Sequence, residues 1–174
     1  MTTHTPDGAN DFDFLIGEWR VVHRRLRQRL AACTEWEEFG GSCSVRQVLG
    51  GQGNVDDNVI DLPAGPYRAL TVRSYDAAAA QWTIWWLDGR TPGVLDTPMR
   101  GRFEHGVGTF LAADTLAGRP IRVRFLWTLP QADAPRWEQA FSADDGLSWE
   151  TNWQMDFVRA TPDAPPMRTT ELPN

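Results

Sequence analysis

From Glu18 to Arg159, runs rich in Val, Ile, Thr, Phe and Trp follow one another, separated only by short clusters of Gly, Pro, Asp and Asn. No gap is wide enough for a crossover helix, so successive strands must pair antiparallel through hairpins. The runs predict strands at 18–30, 34–48, 54–62, 67–76, 81–88, 99–105, 107–115, 119–129, 135–143 and 147–159. The clearest alternation is Ile121, Val123, Phe125, Trp127 and Leu129 against Arg122, Arg124, Leu126 and Thr128, the pattern of a sheet with one dry face. The clearest turn is Asp144-Asp145-Gly146, where Gly146 can take a positive φ between two strands. A long meander tends to curl shut, because closure removes its exposed edges. The expected fold is therefore all-β, a closed antiparallel up-and-down barrel of 8–10 strands, with a two-sheet sandwich as the alternative. Helix is confined to one short turn at Asn10–Ile16, with Asn10 or Asp11 as cap and Phe12, Leu15 and Ile16 on its apolar side.

No composition shift divides the chain, so residues 10–159 are expected to form one domain. Residues 1–9 and 160–174, rich in Thr, Pro, Asp and Ala, read as tails. The chain's 174 residues allow a real core. Nine Trp and eight Phe supply it, each ring able to bury about 150–250 Å².

Several chemistries are removed by composition. All 17 basic residues are Arg, so lysine Schiff-base and lysine general-base catalysis are excluded. A net charge of −6 argues against a nucleic-acid partner. No apolar run approaches the length of a membrane span or a signal peptide, which points to a cytoplasmic protein without a membrane partner. Cys33 and Cys43 are read as two free thiols, in keeping with a reducing compartment. The run His23, Arg24, Arg25, Arg27, Arg29 reads as a solvated or ion-paired surface, with an anion contact as the alternative. No serine lies near a histidine in a Gly-x-Ser-x-Gly elbow. The pairs in Gly50-Gly51-Gln52-Gly53 and Gly106-Val107-Gly108 are turns rather than a dinucleotide fingerprint. No His-x-His, His-Glu-x-x-His or Cys-x-x-Cys is present, so neither a metal nor another cofactor is implied.

Two stretches can carry a site. In the 136–157 hairpin, alternation puts Trp137, Gln139 and Phe141 on one face of the first strand, and Trp149, Thr151, Trp153, Met155 and Phe157 on one face of the second. If these faces turn inward with Phe125 and Trp127, then Trp137, Gln139, Thr151 and Trp153 line an aromatic cavity with a sparse polar seam. The alternative is a filled core in which Gln139 and Thr151 bond each other. The acidic cluster Asp56, Asp57, Asn58 and Asp61 reads as a solvated strand, although alternation places Asp56 and Asn58 with Ile60 and Leu62, so that one of them could point inward. Among Trp82, Trp85 and Trp86, Trp85 opposes the other two, and an exposed indole there would suit a homodimer contact.

Phe12-Asp13-Phe14-Leu15-Ile16-Gly17-Glu18-Trp19 resembles the N-terminal signature of the calycin superfamily, in which a short turn leads into Gly-x-Trp on the first strand. Met155-Asp156-Phe157-Val158-Arg159 ends the last expected strand with an Arg. The resemblance implies that Arg159 stacks on Trp19 and closes the barrel base. A longer likeness, over Glu35-Trp36-Glu37, Val48-Leu49-Gly50-Gly51, Tyr75-Asp76 with Trp82, Gly101-Arg102-Phe103-Glu104 and the 136–157 hairpin, is to the lipocalin-like bacterial group of unknown function DUF1579. It implies a barrel of about ten strands and brings no activity. Nitrobindin-like calycins bind haem through a proximal His. The histidines here are His4, His23 and His105, none in the final strands, which argues against haem.

Two functions follow as expectations. One is the binding of a small, largely apolar or aromatic molecule in the cavity. The other is a cofactor-independent cyclase or isomerase using an inward carboxylate, with Glu138, Asp56 and Glu104 as candidates.

Overall fold

The computed structural model describes residues 8–131 and 133–160. Ten strands run in sequence: β1 (Gly17–Leu26), β2 (Trp36–Val48), β3 (Gly53–Leu62), β4 (Gly65–Asp76), β5 (Gln81–Asp88), β6 (Met99–Glu104), β7 (Val107–Leu116), β8 (Arg119–Gln131), β9 (Ala134–Ser142) and β10 (Glu150–Arg159). Each pairs antiparallel with the next, and β10 returns to β1, so the meander closes into a barrel and the sandwich alternative falls away. Closure pairs Trp19 with Arg159 and Val21 with Phe157. No helix among the described residues is long and apolar enough to cross a membrane.

The expected helical turn is two 3-10 turns, Gly8–Asn10 and Asp13–Leu15. The second has Phe12, rather than Asn10 or Asp11, at its N-cap position. Gly8 and Ala9, assigned from sequence to a tail, are anchored: Trp82 Nε1 donates to the Gly8 carbonyl at 2.9 Å, and Ala9 is buried. The remainder of that tail, and the C-terminal one beyond Ala160, lie outside the described residues.

These turns plug one end of the barrel. Phe12 is buried, with edge-on contacts to Trp82, Phe103 and Trp127 at 5.0, 4.9 and 5.7 Å between ring centres. Edge-to-face geometry aligns the positive ring edge with the negative face of its neighbour and adds to the burial energy. Beside the plug, the Arg159 guanidinium lies 3.9 Å over the Trp19 ring. It donates to the carbonyls of Ile16 and Phe14 at 2.6 and 3.2 Å, while Trp19 Nε1 donates to the Leu15 carbonyl at 2.7 Å. One arginine thus satisfies backbone acceptors that the short turns leave open. Gly17, at φ +125°, leaves room for it, because a Cβ there would collide with Arg159 Nη1. Arg159→Ala is expected to lower stability by about 2 kcal/mol, through the lost stack and hydrogen bonds. Urea denaturation checks this, and an unchanged midpoint would mean the contact contributes nothing.

The basic run divides. Arg24 and Arg27 are exposed and pair with Glu38 at 3.9 Å and Glu35 at 3.8 Å. His23 is instead buried in the barrel, 1% exposed, which corrects the surface reading. It follows Trp19 and Val21 inward by simple alternation on β1. Trp82 faces the core, while Trp85 faces outward and is half-buried there. Cys33 and Cys43 are both unpaired thiols.

Candidate ligand cavity

Above the plug the barrel is incompletely filled, leaving a cavity of about 160 Å³. One wall comes from β8, β9 and β10, where Val123, Phe125, Trp127, Trp137, Gln139, Phe141, Trp153, Met155 and Phe157 turn inward. Their alternation is in phase because the ladder sets Phe125 against Gln139 and Trp127 against Trp137. Phe125, Trp127, Trp137, Gln139 and Trp153, expected from sequence at the site, are therefore brought together. Thr151 is not. Between Thr151 and Trp153 the ladder slips, so that Thr151 faces Ala140 and Trp153 faces Gln139. This bulge turns Thr151 to the outer face and buries Asn152 completely. Gln139 Nε2 accordingly donates to Asn152 Oδ1 at 2.9 Å, not to Thr151.

The opposite wall is polar and comes from β3 and β4. Asp56, Asn58, Thr71 and Arg73 line the cavity, each no more than 4% exposed. The solvated reading of the acidic cluster thus fails for Asp56 and Asn58, while Asp57 on the other face keeps an exposed pair with Arg68. Arg73 Nη2 meets Asp56 Oδ2 at 2.9 Å, and its Nη1 donates to Asn54 Oδ1 at 2.9 Å. Asp56 Oδ1 accepts from Asn58 Nδ2 at 3.3 Å, and Oδ2 also receives the Cys43 thiol at 3.7 Å. The Arg73 guanidinium spreads over Phe12 and Trp127, 5.2 and 5.4 Å from the ring centres. Burial, compounded by Asp56, pushes the Cys43 thiol far up, so it stays protonated and unreactive.

Trp153 is fixed from behind. Its Nε1 donates to His23 Nδ1 at 3.2 Å, and His23 stacks on Phe39 with ring centres 4.9 Å apart. Burial, helped by positive Arg25, pushes His23 down to about 3, so the imidazole is neutral and Nδ1 is free to accept. Gly41 makes the space: a Cβ there would sit 2.8 Å from His23 Nε2 and 2.6 Å from the Val59 carbonyl.

At the mouth lie exposed Asp96, Thr97 and Asp114. Partial burial, then the charges of Asp114 and Asp88, hold Asp96 above the usual carboxylate range. The other candidate acids do not reach the cavity. Glu138 bonds Arg136 and Gln154 at 3.1 and 2.8 Å, and Glu104 bonds Arg102 at 2.8 Å, both on the outer face. Among the described residues, no group of three His, Cys, Asp or Glu is placed to hold a metal ion.

Among solved structures, the chain is similar to the S-type phycobiliprotein lyase CPES from Guillardia theta. The TM-score is 0.59 at 13% identity, over 94% of this chain and 100% of the lyase chain. The likeness is one of fold. No family model matches the sequence, and no curated protein matches it. In this chain that fold is a closed barrel of ten antiparallel strands.

Proposed function

We propose that this protein binds a small, flat, largely apolar molecule, about one aromatic ring in size, inside the barrel. The observation that carries the reading is the cavity itself: about 160 Å³, with tryptophan and phenylalanine on one wall and a few fixed polar groups on the other. An apolar protein cavity of about 150 Å³ takes up benzene, whereas drug-sized ligands need about 300–1,000 Å³. Phe125, Trp137, Gln139 and Trp153 are the proposed contacts, joined by Trp86 and Thr71. The fold shared with a phycobiliprotein lyase is in keeping with a small-molecule guest. Membership of the DUF1579 group rests on short motifs and adds no activity. A cytoplasmic setting belongs to the same reading, because both cysteines are free thiols.

Catalysis by an inward carboxylate is the weaker reading. Of its candidates, Glu104 and Glu138 point outward, and Asp56 already receives Arg73, Asn58 and Cys43. Three donors converge on its two oxygens, which ties the carboxylate into the wall.

The test is intrinsic fluorescence titrated with toluene and with decanoate, in wild type and Trp153→Ala. Toluene should quench saturably in wild type and bind about tenfold more weakly in the variant, a loss of about 1.4 kcal/mol. Decanoate should not saturate. Identical toluene curves in both proteins would remove Trp153 from the site.

A further inference from the structure

The charges lining the cavity do not balance. Arg73 is matched by Asp56 at 2.9 Å, which leaves Asp96 and Asp114 at the mouth. Neither has a cationic partner among the described residues. Asp114 Oδ1 accepts only the backbone N–H of Thr115, at 2.7 Å. Other cations of the barrel are engaged: Arg90 is bidentate with Asp88, closest at 2.6 Å, Arg122, which borders a second pocket with Asp114, pairs with Asp145 at 2.7 Å, and Arg25 pairs with Glu37 at 3.4 Å and lies over the Trp153 ring, 5.5 Å from its centre.

The polar groups of the inner wall show the same bias. Asn58 spends its amide N–H groups on Asp56 and the Ala69 carbonyl, and Gln139 spends its own on Asn152. Their carbonyl oxygens remain without donors among the described residues, on a wall that faces the cavity. Thr71, 4% exposed, makes no side-chain hydrogen bond among the described residues although it lines the space. A buried hydroxyl without a partner costs about 1–3 kcal/mol unless something in the cavity meets it. The third feature is the aromatic wall, in which Trp153 meets Trp86 and Trp137 edge-on at 6.4 and 5.7 Å. Indole faces are regions of negative potential and attract a cation within about 6 Å.

Free carbonyls, unpaired carboxylates and indole faces all present negative potential to a guest. Resting on the cavity reading above, we propose that the ligand is a cation, a single aromatic ring bearing a protonated amine on a short arm. The ring enters between the tryptophans and the ammonium group stays at the mouth between Asp96 and Asp114. Ring substituents that donate hydrogen bonds find Asn58, Thr71 and Gln139. The inward arginine does not reverse this preference, since its charge is already cancelled within the wall.

The experiment compares three probes of near-equal size, benzylammonium, benzyl alcohol and benzoate, by calorimetry at pH 8 in wild type and in the double variant Asp96→Asn/Asp114→Asn. Both aspartates are exposed, so the variant is expected to fold. Benzylammonium should bind wild type at least tenfold more tightly than benzyl alcohol, with benzoate weakest. In the variant the ratio of ammonium to alcohol affinity should fall to about one. Equal affinities for ammonium and alcohol in wild type, or benzoate as the tightest ligand, would overturn the charge preference and leave the cavity reading standing. Failure of all three to bind would remove the cavity reading and this inference together.

Discussion

Replacing Arg73 with leucine is expected to destabilise the barrel by about 3–5 kcal/mol, the usual cost of removing one partner of a buried ion pair. The side chains of Arg73 and Asp56 are each only 4% exposed. Without the guanidinium, the Asp56 carboxylate keeps a thiol and an amide as donors but loses its countercharge at a site only 4% exposed. Asn54 Oδ1 loses its donor, and Phe12 and Trp127 lose the cation above their faces. Replacing both members, Arg73→Leu with Asp56→Leu, should cost less than Arg73→Leu alone, because no unpaired charge remains. Guanidinium denaturation of the three proteins at neutral pH makes the comparison. A loss under 1 kcal/mol in Arg73→Leu would mean that Asp56 has access to water and that the wall is not dry.

Acid should weaken the protein well before its carboxylates titrate. His23 is held at about 3 in the folded barrel, by burial and by Arg25, while an unfolded chain titrates it at about 6.5. Above that value both states are neutral and His23 contributes no pH dependence. Below it the unfolded chain takes up a proton that the barrel refuses, so stability falls with pH by about 1.4 kcal/mol per unit. The expected loss is about 2 kcal/mol between pH 6.5 and 5, and about 3 kcal/mol by pH 4. Asp96, displaced upward, works in the opposite direction because the fold retains its proton. The informative quantity is therefore the difference between wild type and His23→Phe, a variant that keeps the stack on Phe39. Wild type should lose about 2 kcal/mol more than the variant between pH 7 and 5. Parallel pH profiles would show that His23 takes up its proton within the fold.

The ten strands were legible because period-two alternation and turn residues act locally: β5 falls on the expected residues, and most of the others differ by one to three at an end. The aromatic wall was legible for the same reason. Thr151 was misplaced because alternation carries no sign of an inserted residue, and the bulge at Asn152 reverses everything before it on β10. His23 was readable in principle, since it shares the parity of Trp19 and Val21, but the surrounding arginines outweighed that signal. The polar wall was harder. The inward face of β4 reads Tyr67, Ala69, Thr71, Arg73, with too little apolar content to mark a side. Asp96 lies in the connection between β5 and β6, where no periodicity constrains which way a side chain turns.

The pairing of β1 with β10 also bears on how the protein is made. The first strand of the barrel finds its second neighbour only when the barrel's last one has been synthesised; Trp153 reaches His23 across 130 residues of chain. Until then β1 has a partner on one side only, and the hydrogen-bonding groups of its other edge are open to any extended segment nearby. Contacts of such sequence separation slow folding, because loop closure must precede the energy it releases. The nascent barrel is thus exposed to intermolecular association until β10 has been made, and it becomes safe only at that strand.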